Sequence, residues 1–464
     1  MALQRLSAAL VKFKDTTVDK FLSTFVDSYK TTLDYTKATY ITPDMTNAQI
    51  QERLESGGTI HVQEGNYIIT DTLVIHPNTD LYCSSGATFI AGKDAMVVMT
   101  CDPEHSGGNG VRNVRLNYVR IDISNHTGCI GFKGVKFRNH GHLNMMWVNM
   151  GTAVNNTGIE LGTLCYGLKV DGCECIGGGT GSVRLLLRNG ANAIVITGFN
   201  GYSGSPEVDM PNYGIIVRHG LQGETNWDYI TTFPTEAVVF VGGYSQNTHQ
   251  YGLLDQAQGT KVYGMYFENN SVADVRCSGA KEGSFSNCTH SSPTGGKPAK
   301  GYSVSSSTGI LIDEPVYGSR AGGFFDIGGG SDAGVTNHVV NINRWNAAQG
   351  ATKQDIGDLS AAKVNRDAVL QLTENTLDVN MGYKWYRRNV TSGINITLTG
   401  TPYDGMEINL MLRGNNIESL TIGGVPVDVT HANTAQIKMA HCKLVYSKPV
   451  RAWVINTGEW NATS

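Results

Sequence analysis

Carboxylate side chains gather in one stretch of this sequence. Glu207 and Asp209 lie in the segment 199–212 (FNGYSGSPEVDMPN), and Glu224 and Asp228 lie in 221–236 (LQGETNWDYITTFPTE). Asp255 and Glu268 follow soon after. Two carboxyl groups can cleave a glycosidic bond, one protonating the leaving oxygen while the other acts as base or nucleophile. Trp227 and Tyr229 flank Asp228. Aromatic faces pack on sugar rings and a neighbouring carboxylate binds hydroxyls, although the same triplet also suits a loop anchored by its own tryptophan. Arg188, Arg218 and His219 form a second set. A cation to neutralise a uronate carboxylate and a base for the adjacent proton are the parts of a β-elimination. In a strand Arg218 and His219 point to opposite faces, which weakens them as a pair.

The repeat set out below places Asp255 near a column of Arg188, Arg218 and Arg276. An acid among cations ionises readily and suits a nucleophile or base, or else a structural ion pair. Glu268 adjoins Asn269 and Asn270, where an asparagine stack is the plainer reading. Other signals carry no chemistry. HGH at 140–142 lacks metal-ligand partners at useful spacing, and GGGTG at 177–181 reads as a turn. GGGSDAG at 328–334 is a single copy of a glycine-rich unit, and no Ser-His-Asp set is apparent. No cofactor and no metal is expected.

These residues must be held by a repetitive scaffold. VVFVGGYSQN at 238–247 aligns with VYGMYFENN at 262–270, each position 22 residues on: Val241 on Tyr263, Gly242 on Gly264, Tyr244 on Tyr266 and Asn247 on Asn269. Gly198 precedes Gly242 by 44, read as two periods. A second strand family recurs between: RLLLRNG at 184–190, GIIVRHG at 214–220, GLLDQ at 252–256 and VADVRC at 272–277. Two or three short strands per turn of just over 20 residues is the arithmetic of a parallel β-solenoid, whose coils bury their inward faces only by stacking. The two carboxylate-bearing segments are then insertions, which fall at loops and gather on one face.

Composition agrees. The chain has 464 residues, 56 of them glycine but only 12 proline, and 16% are charged. Many tight corners and few charged helical faces argue against a mostly helical enzyme. With 36 basic against 40 acidic residues it is not a nucleic-acid binder. The nine cysteines contain no CxxC pair, and they read as small buried residues of a chain folded in a reducing cytoplasm. Cys173 and Cys175 should share one strand face. The opening MALQRLSAALVKFKD has no uninterrupted apolar core for a secretory signal, and no segment is long enough to insert in a membrane.

Residues 1–45 carry a heptad-like apolar stripe with a slip, a helical anchor or trimerising segment. Residues 46–345 hold the solenoid, led by a helix over 46–56 that Thr46 and Gln49 open with a capping box. A linker at 346–364 leads to a β domain at 365–464, read as antiparallel and most simply a sandwich for trimerisation or carbohydrate binding.

The segment from Asn47 to Ile90 carries a family resemblance. A short helix ends at Gly57-Gly58, a strand follows, then a turn with Glu64, Gly65 and Tyr67. This is similar to the start of right-handed parallel β-helices of the pectate-lyase-like class, and the likeness covers about 47–340. With the helical N-terminal piece and the terminal β domain, the chain resembles a bacteriophage tailspike or tail-fibre depolymerase. It lacks the long N-terminal particle-binding domain of large tailspikes. The resemblance implies an all-β fold and a homotrimer on the virion, made in the bacterial cytoplasm and joined to other tail proteins through its N-terminal segment. It also implies that the protein binds and hydrolyses a bacterial capsule or O-antigen. A polysaccharide lyase and a non-catalytic receptor-binding fibre remain the alternatives.

Overall fold

The computed structural model describes residues 39–101, 110–203, 210–219, 234–291, 300–317, 323–327 and 337–341, and strands between 357 and 462. The helical reading of 1–35 and the glycine unit at 328–334 lie outside the described residues. One helix, α1 (Asn47–Glu55), precedes the coils. Thr46 caps it, accepting from the backbone of Gln49, whose side chain reaches back to the cap in a full capping box. Ile50 and Leu54 are its buried face, laid on the first coil. Gly57 and Gly58 then turn the chain with φ of 60° and 75°, values that L side chains avoid.

After α1 the described elements are almost all strands, wound as a right-handed parallel β-helix. Each full coil supplies three strands. In one coil these are Tyr166–Asp171, Glu174–Gly177 and Val183–Leu187. Third strands alone make an 11-stranded parallel sheet from Leu73–Ile75 to Gly357–Asp358. Inward positions are apolar and stack rung on rung: Ile121 on Val148 on Cys175, and Phe132 on Ile159 on Leu185 on Ile215 on Leu253. Nearly all are fully buried in one continuous cluster. Cys173 and Cys175 both face inward, and the eight described cysteines are buried free thiols.

The 22-residue alignment is the true register. Val241 pairs with Tyr263 and Tyr244 with Tyr266, and Asn269 donates to the Asn247 side chain at 2.8 Å. The 44-residue step needs correction. Ile196 pairs directly with Phe240, so Gly198 and Gly242 belong to adjacent coils. The excess length is inserted chain, not a hidden second coil.

First and second strands meet at a single-residue corner of positive φ. Tyr118, Met145, Gly172, Gly198, Gly242, Gly264, Asn287 and Glu314 occupy it in successive coils, with φ between 46° and 64°. Beyond 345 the ladder continues: Gly357–Asp358 pairs with Phe325–Asp326, and Ala362–Gln371 with His338–Asn341. Parallel pairing persists through Tyr383–Val390 to Glu407–Gly414. Antiparallel pairing enters where Lys438–Ser447 joins Glu407–Gly414 and then Ala452–Thr457, and in the hairpin of Leu420–Ile422 with Val425–Val427.

Candidate functional site

The second strands build the most distinctive outer face. Val148, Cys175, Gly201, Ser245 and Phe267 turn inward, so the residues on either side of each turn outward. One outward row runs Trp147, Glu174, Asn200, Tyr244, Tyr266, Thr289. Beside it Ile176 pairs with Tyr202, Gln246 with Glu268, and Glu268 in turn with Ser291. The aromatic rings are partly exposed; Tyr202, Tyr244 and Tyr266 lie on successive rungs, with Tyr202 and Tyr244 centroids 5.7 Å apart, and Trp147 lies two rungs before Tyr202. The Tyr202 hydroxyl donates to Glu174 Oε1 at 2.9 Å. Burial, then that bond, pushes the Tyr202 phenol up to about 12. Tyr244 is raised by burial and by the Glu174 charge, and Tyr266 by burial with Glu268 close by. Arg120 lies 4.7 Å over the Trp147 ring and holds it.

The positive-φ corner borders this face. An added side-chain carbon would meet nothing within 4 Å at Gly242 or Gly264, and at Gly198 only the Gly172 backbone. The glycines leave bare backbone between the exposed Val241 and Tyr263 on one side and Tyr244 and Tyr266 on the other. The result is a shallow, apolar-sided trough, with its long axis along the solenoid. Flat rings, free edges and interspersed carboxylates suit a row of sugar units.

Glu174 and Glu268 do not form a hydrolytic pair. Glu174 lies three rungs from Tyr266, and Glu268 lies two residues further along that strand. At about 4.8 Å per rung and about 3.3 Å per residue their backbones are ~16 Å apart. Pairs that hydrolyse glycosides stand at about 5 Å or about 6.5–9.5 Å.

Asp255 takes a different place from the one its sequence spacing suggested. Arg218 pairs with Gln256, while Asp255 pairs with Val217 and Cys277, and Arg276 pairs with Leu254. One residue of register turns a side chain to the other face, so Asp255 points into the core and the arginines point out. Its Oδ1 accepts from the Ala257 amide at 3.1 Å and the Thr260 hydroxyl at 2.9 Å, whereas Oδ2 meets no partner. Burial lifts its pKa from 3.8 to about 7, against both bonds. The expectation of ready ionisation is thereby reversed.

Arg188 lies on the outside of the third-strand sheet, donating to Glu160 Oε1 from Nε at 3.2 Å and Nη2 at 3.1 Å. Lys133 reaches the same oxygen at 3.7 Å. The Arg218 carbonyl accepts from the Thr235 hydroxyl, and His219 Nδ1 accepts from the Thr235 amide at 3.0 Å. Burial, then the Lys281 charge, lowers the His219 pKa. A neutral ring accepting at Nδ1 carries its proton on Nε2, so His219 clasps the base of the second insertion. Glu207, Asp209, Glu224, Trp227, Asp228 and Tyr229 lie outside the described residues. Among the described residues no group of His, Cys, Asp and Glu could hold a metal ion, and no helix is long and apolar enough to cross a membrane.

The face around Trp147, Glu174, Tyr202 and Tyr244 was not singled out by the sequence reading. Its signal was present in the alternation Cys173-Glu174-Cys175, where two inward thiols force the acid outward. The Tyr244 to Tyr266 alignment was a second signal.

No protein-family model and no characterised protein matches the chain in sequence. Among solved structures it is similar to PfbA, a surface adhesin of Streptococcus pneumoniae, over 91% of this chain and 99% of that one, at 9% identity and a TM-score of 0.44. It is similar to the A-module of the Azotobacter vinelandii mannuronan C-5 epimerase AlgE6, over 81% and 93%, at 10% identity and a TM-score of 0.41. It is also similar to tailspike protein 3 of bacteriophage CBA120, over 91% and 69%, at 12% identity and a TM-score of 0.34.

Proposed function

We propose that this chain is a tailspike-type protein of a phage virion that binds and depolymerises a bacterial surface polysaccharide, capsule or O-antigen. The observation that carries the reading is the partly exposed face of Trp147, Tyr202, Tyr244 and Tyr266 with Glu174 and Glu268 set among the rings. An extended glycan lying along the trough would stack a sugar on successive rungs, since a coil rise of about 4.8 Å is close to one sugar unit. Hydrolysis would need a second carboxyl group near Glu174 or Glu268, and the acids assigned to that role are Glu207, Asp209, Glu224 and Asp228. Assembly as a homotrimer, with residues 1–45 joining other tail proteins, completes the proposal.

A second reading has an observation in its favour. The ~16 Å between Glu174 and Glu268 leaves these two acids as parts of a binding platform and not as a catalytic pair. That is the chemistry of a receptor-binding fibre.

The test is purified protein on a panel of bacterial capsules and O-antigens, following polymer size, new reducing ends and the ultraviolet absorbance of unsaturated uronate. Shortening with new reducing ends and no absorbance supports hydrolysis, and loss of cutting in Glu207→Gln, Asp209→Asn, Glu224→Gln or Asp228→Asn names the partner. Shortening with absorbance identifies a lyase instead. Binding without shortening leaves the fibre, and no binding across hosts overturns the proposal.

A further inference from the structure

The interior of the solenoid beneath the aromatic face is not wholly apolar. One inward column of the third strands reads Gly158, Arg184, Gly214, Gly252, Asp274, Gly301, each the residue preceding a paired core position. Arg184 is among the largest fully buried side chains of the described residues, and Gly201 on the neighbouring second strand gives it room: a side-chain carbon there would stand 3.2 Å from its Cδ. Arg184 Nε donates to the Gly177 carbonyl at 3.0 Å, and Nη1 donates to the Gln246 carbonyl. A second set of wholly buried groups starts one residue away on the same strand, at Ser245. The Asn270 amide donates to the Ser245 carbonyl at 3.2 Å and to Asp274 Oδ1 at 2.8 Å. Asp274 Oδ2 stands 2.9 Å from His290 Nδ1. Arg184 and Asp274, on third strands, thereby tie together Glu174–Gly177, Val239–Thr248, Tyr266–Asn270 and Thr289–Ser291, the strands that carry the outer face.

Burying a guanidinium and a carboxylate is costly, and apolar residues of like volume commonly fill such space with no loss of stability. What polar groups add is direction, because their bonds fix backbone atoms at set distances and hydrophobic contact does not. We propose that this buried polar spine, anchored by Arg184, is a positioning device that holds the rungs of the outer face at fixed spacing. The rings of Tyr202, Tyr244 and Tyr266 then match successive units of one chain. The inference rests on the polysaccharide reading for its purpose but not for its structural content.

The experiment uses the full chain with Arg184→Met and Asp274→Asn, and with Arg184→Lys as the conservative variant. Hydrogen exchange of the second strands at 174–177, 244–248 and 266–270 should speed up by about tenfold, while the distant first coils at 58–91 stay unchanged. Arg184→Lys should recover part of the protection. Affinity for a long glycan should fall about tenfold, while affinity for a fragment covering one ring stays the same, since only the long ligand senses spacing. Exchange raised equally throughout the solenoid, or unchanged in the second strands, overturns the spine. So does an equal affinity loss for long and short ligands. If the unaltered protein binds no glycan, the polysaccharide reading fails and the exchange pattern alone decides the spine. Should Arg184→Met not fold, Asp274→Asn and Arg184→Lys carry the same comparison.

Discussion

Replacing Asp255 with asparagine should make the protein more stable, and only above mildly acidic pH. The carboxyl group is wholly buried between Val217 and Cys277, with one oxygen bonded and the other facing apolar atoms. Its pKa in the folded chain is raised from 3.8 to about 7. The folded state therefore holds this proton more tightly than the unfolded chain does. That advantage is complete below pH ~4, is lost as the pH rises through ~4 to ~7, and changes no further above that. At about 1.4 kcal/mol for each tenfold in proton affinity, the loss is about 4 kcal/mol. Asparagine keeps an oxygen for Ala257 and Thr260 and places an uncharged amide where the protonated acid stood, so it escapes the loss. Urea unfolding of both proteins should coincide near pH ~3 and separate above pH ~7 by about 1 M or more in midpoint, given slopes of a few kcal/mol per M. A gap that stays constant from pH 5 to 8, or narrows with rising pH, would refute the reasoning.

Further outcomes follow from the same geometry. Gly264→Asn should fold normally, because Asn287 holds the same corner one coil on with φ of 53°, yet its side chain should weaken glycan binding by about tenfold while the melting temperature stays put. Unchanged binding would remove the trough from the site. Tyr244→Ala should lower glycan affinity by about tenfold, read by calorimetry, with circular dichroism unaltered. Glu160→Gln should cost about 2 kcal/mol, because Arg188 and Lys133 lose a shared, nearly buried carboxylate, and thermal unfolding in low and high salt checks it. Thr46→Ala removes the cap of α1 and should cost about 1 kcal/mol, seen as faster exchange in residues 47–55 and not in the coils.

The solenoid was legible because its signals are local and repeated. Gly57-Gly58 after a capped helix, short strands with glycine corners and the 22-residue alignment each needed only a few neighbouring residues to be read. Asp255 was misplaced for the same reason: spacing across an insertion was counted from Arg218, and an error of one residue moves a side chain from the wall to the core. The 44-residue step misled likewise, since two insertions in one coil have the length of an extra turn. The aromatic face was harder still. Trp147, Tyr202 and Tyr244 are 55 and 42 residues apart in sequence, and only the stacking of coils makes them neighbours. Arg184 gave no warning, for nothing in RLLLRNG says which of its two arginines is inside.

The positive-φ corners give the molecule a direction. At Tyr118, Met145, Gly172, Gly264, Asn287 and Glu314 the backbone amide donates to a carbonyl of the following coil, at Asn144, Asp171, Thr197, Ser286, Asp313 and Asn341 respectively. Every such bond points the same way along the axis. Any cut across the stack thus exposes an unmet amide on the N-terminal fragment and an unmet carbonyl on the C-terminal one. The two broken ends are complementary, as the two sides of a zip are. Each coil presents the groups that its successor meets, so a chain interrupted midway ends in an adhesive edge. The strands past 345 prolong the ladder and then change to antiparallel pairing.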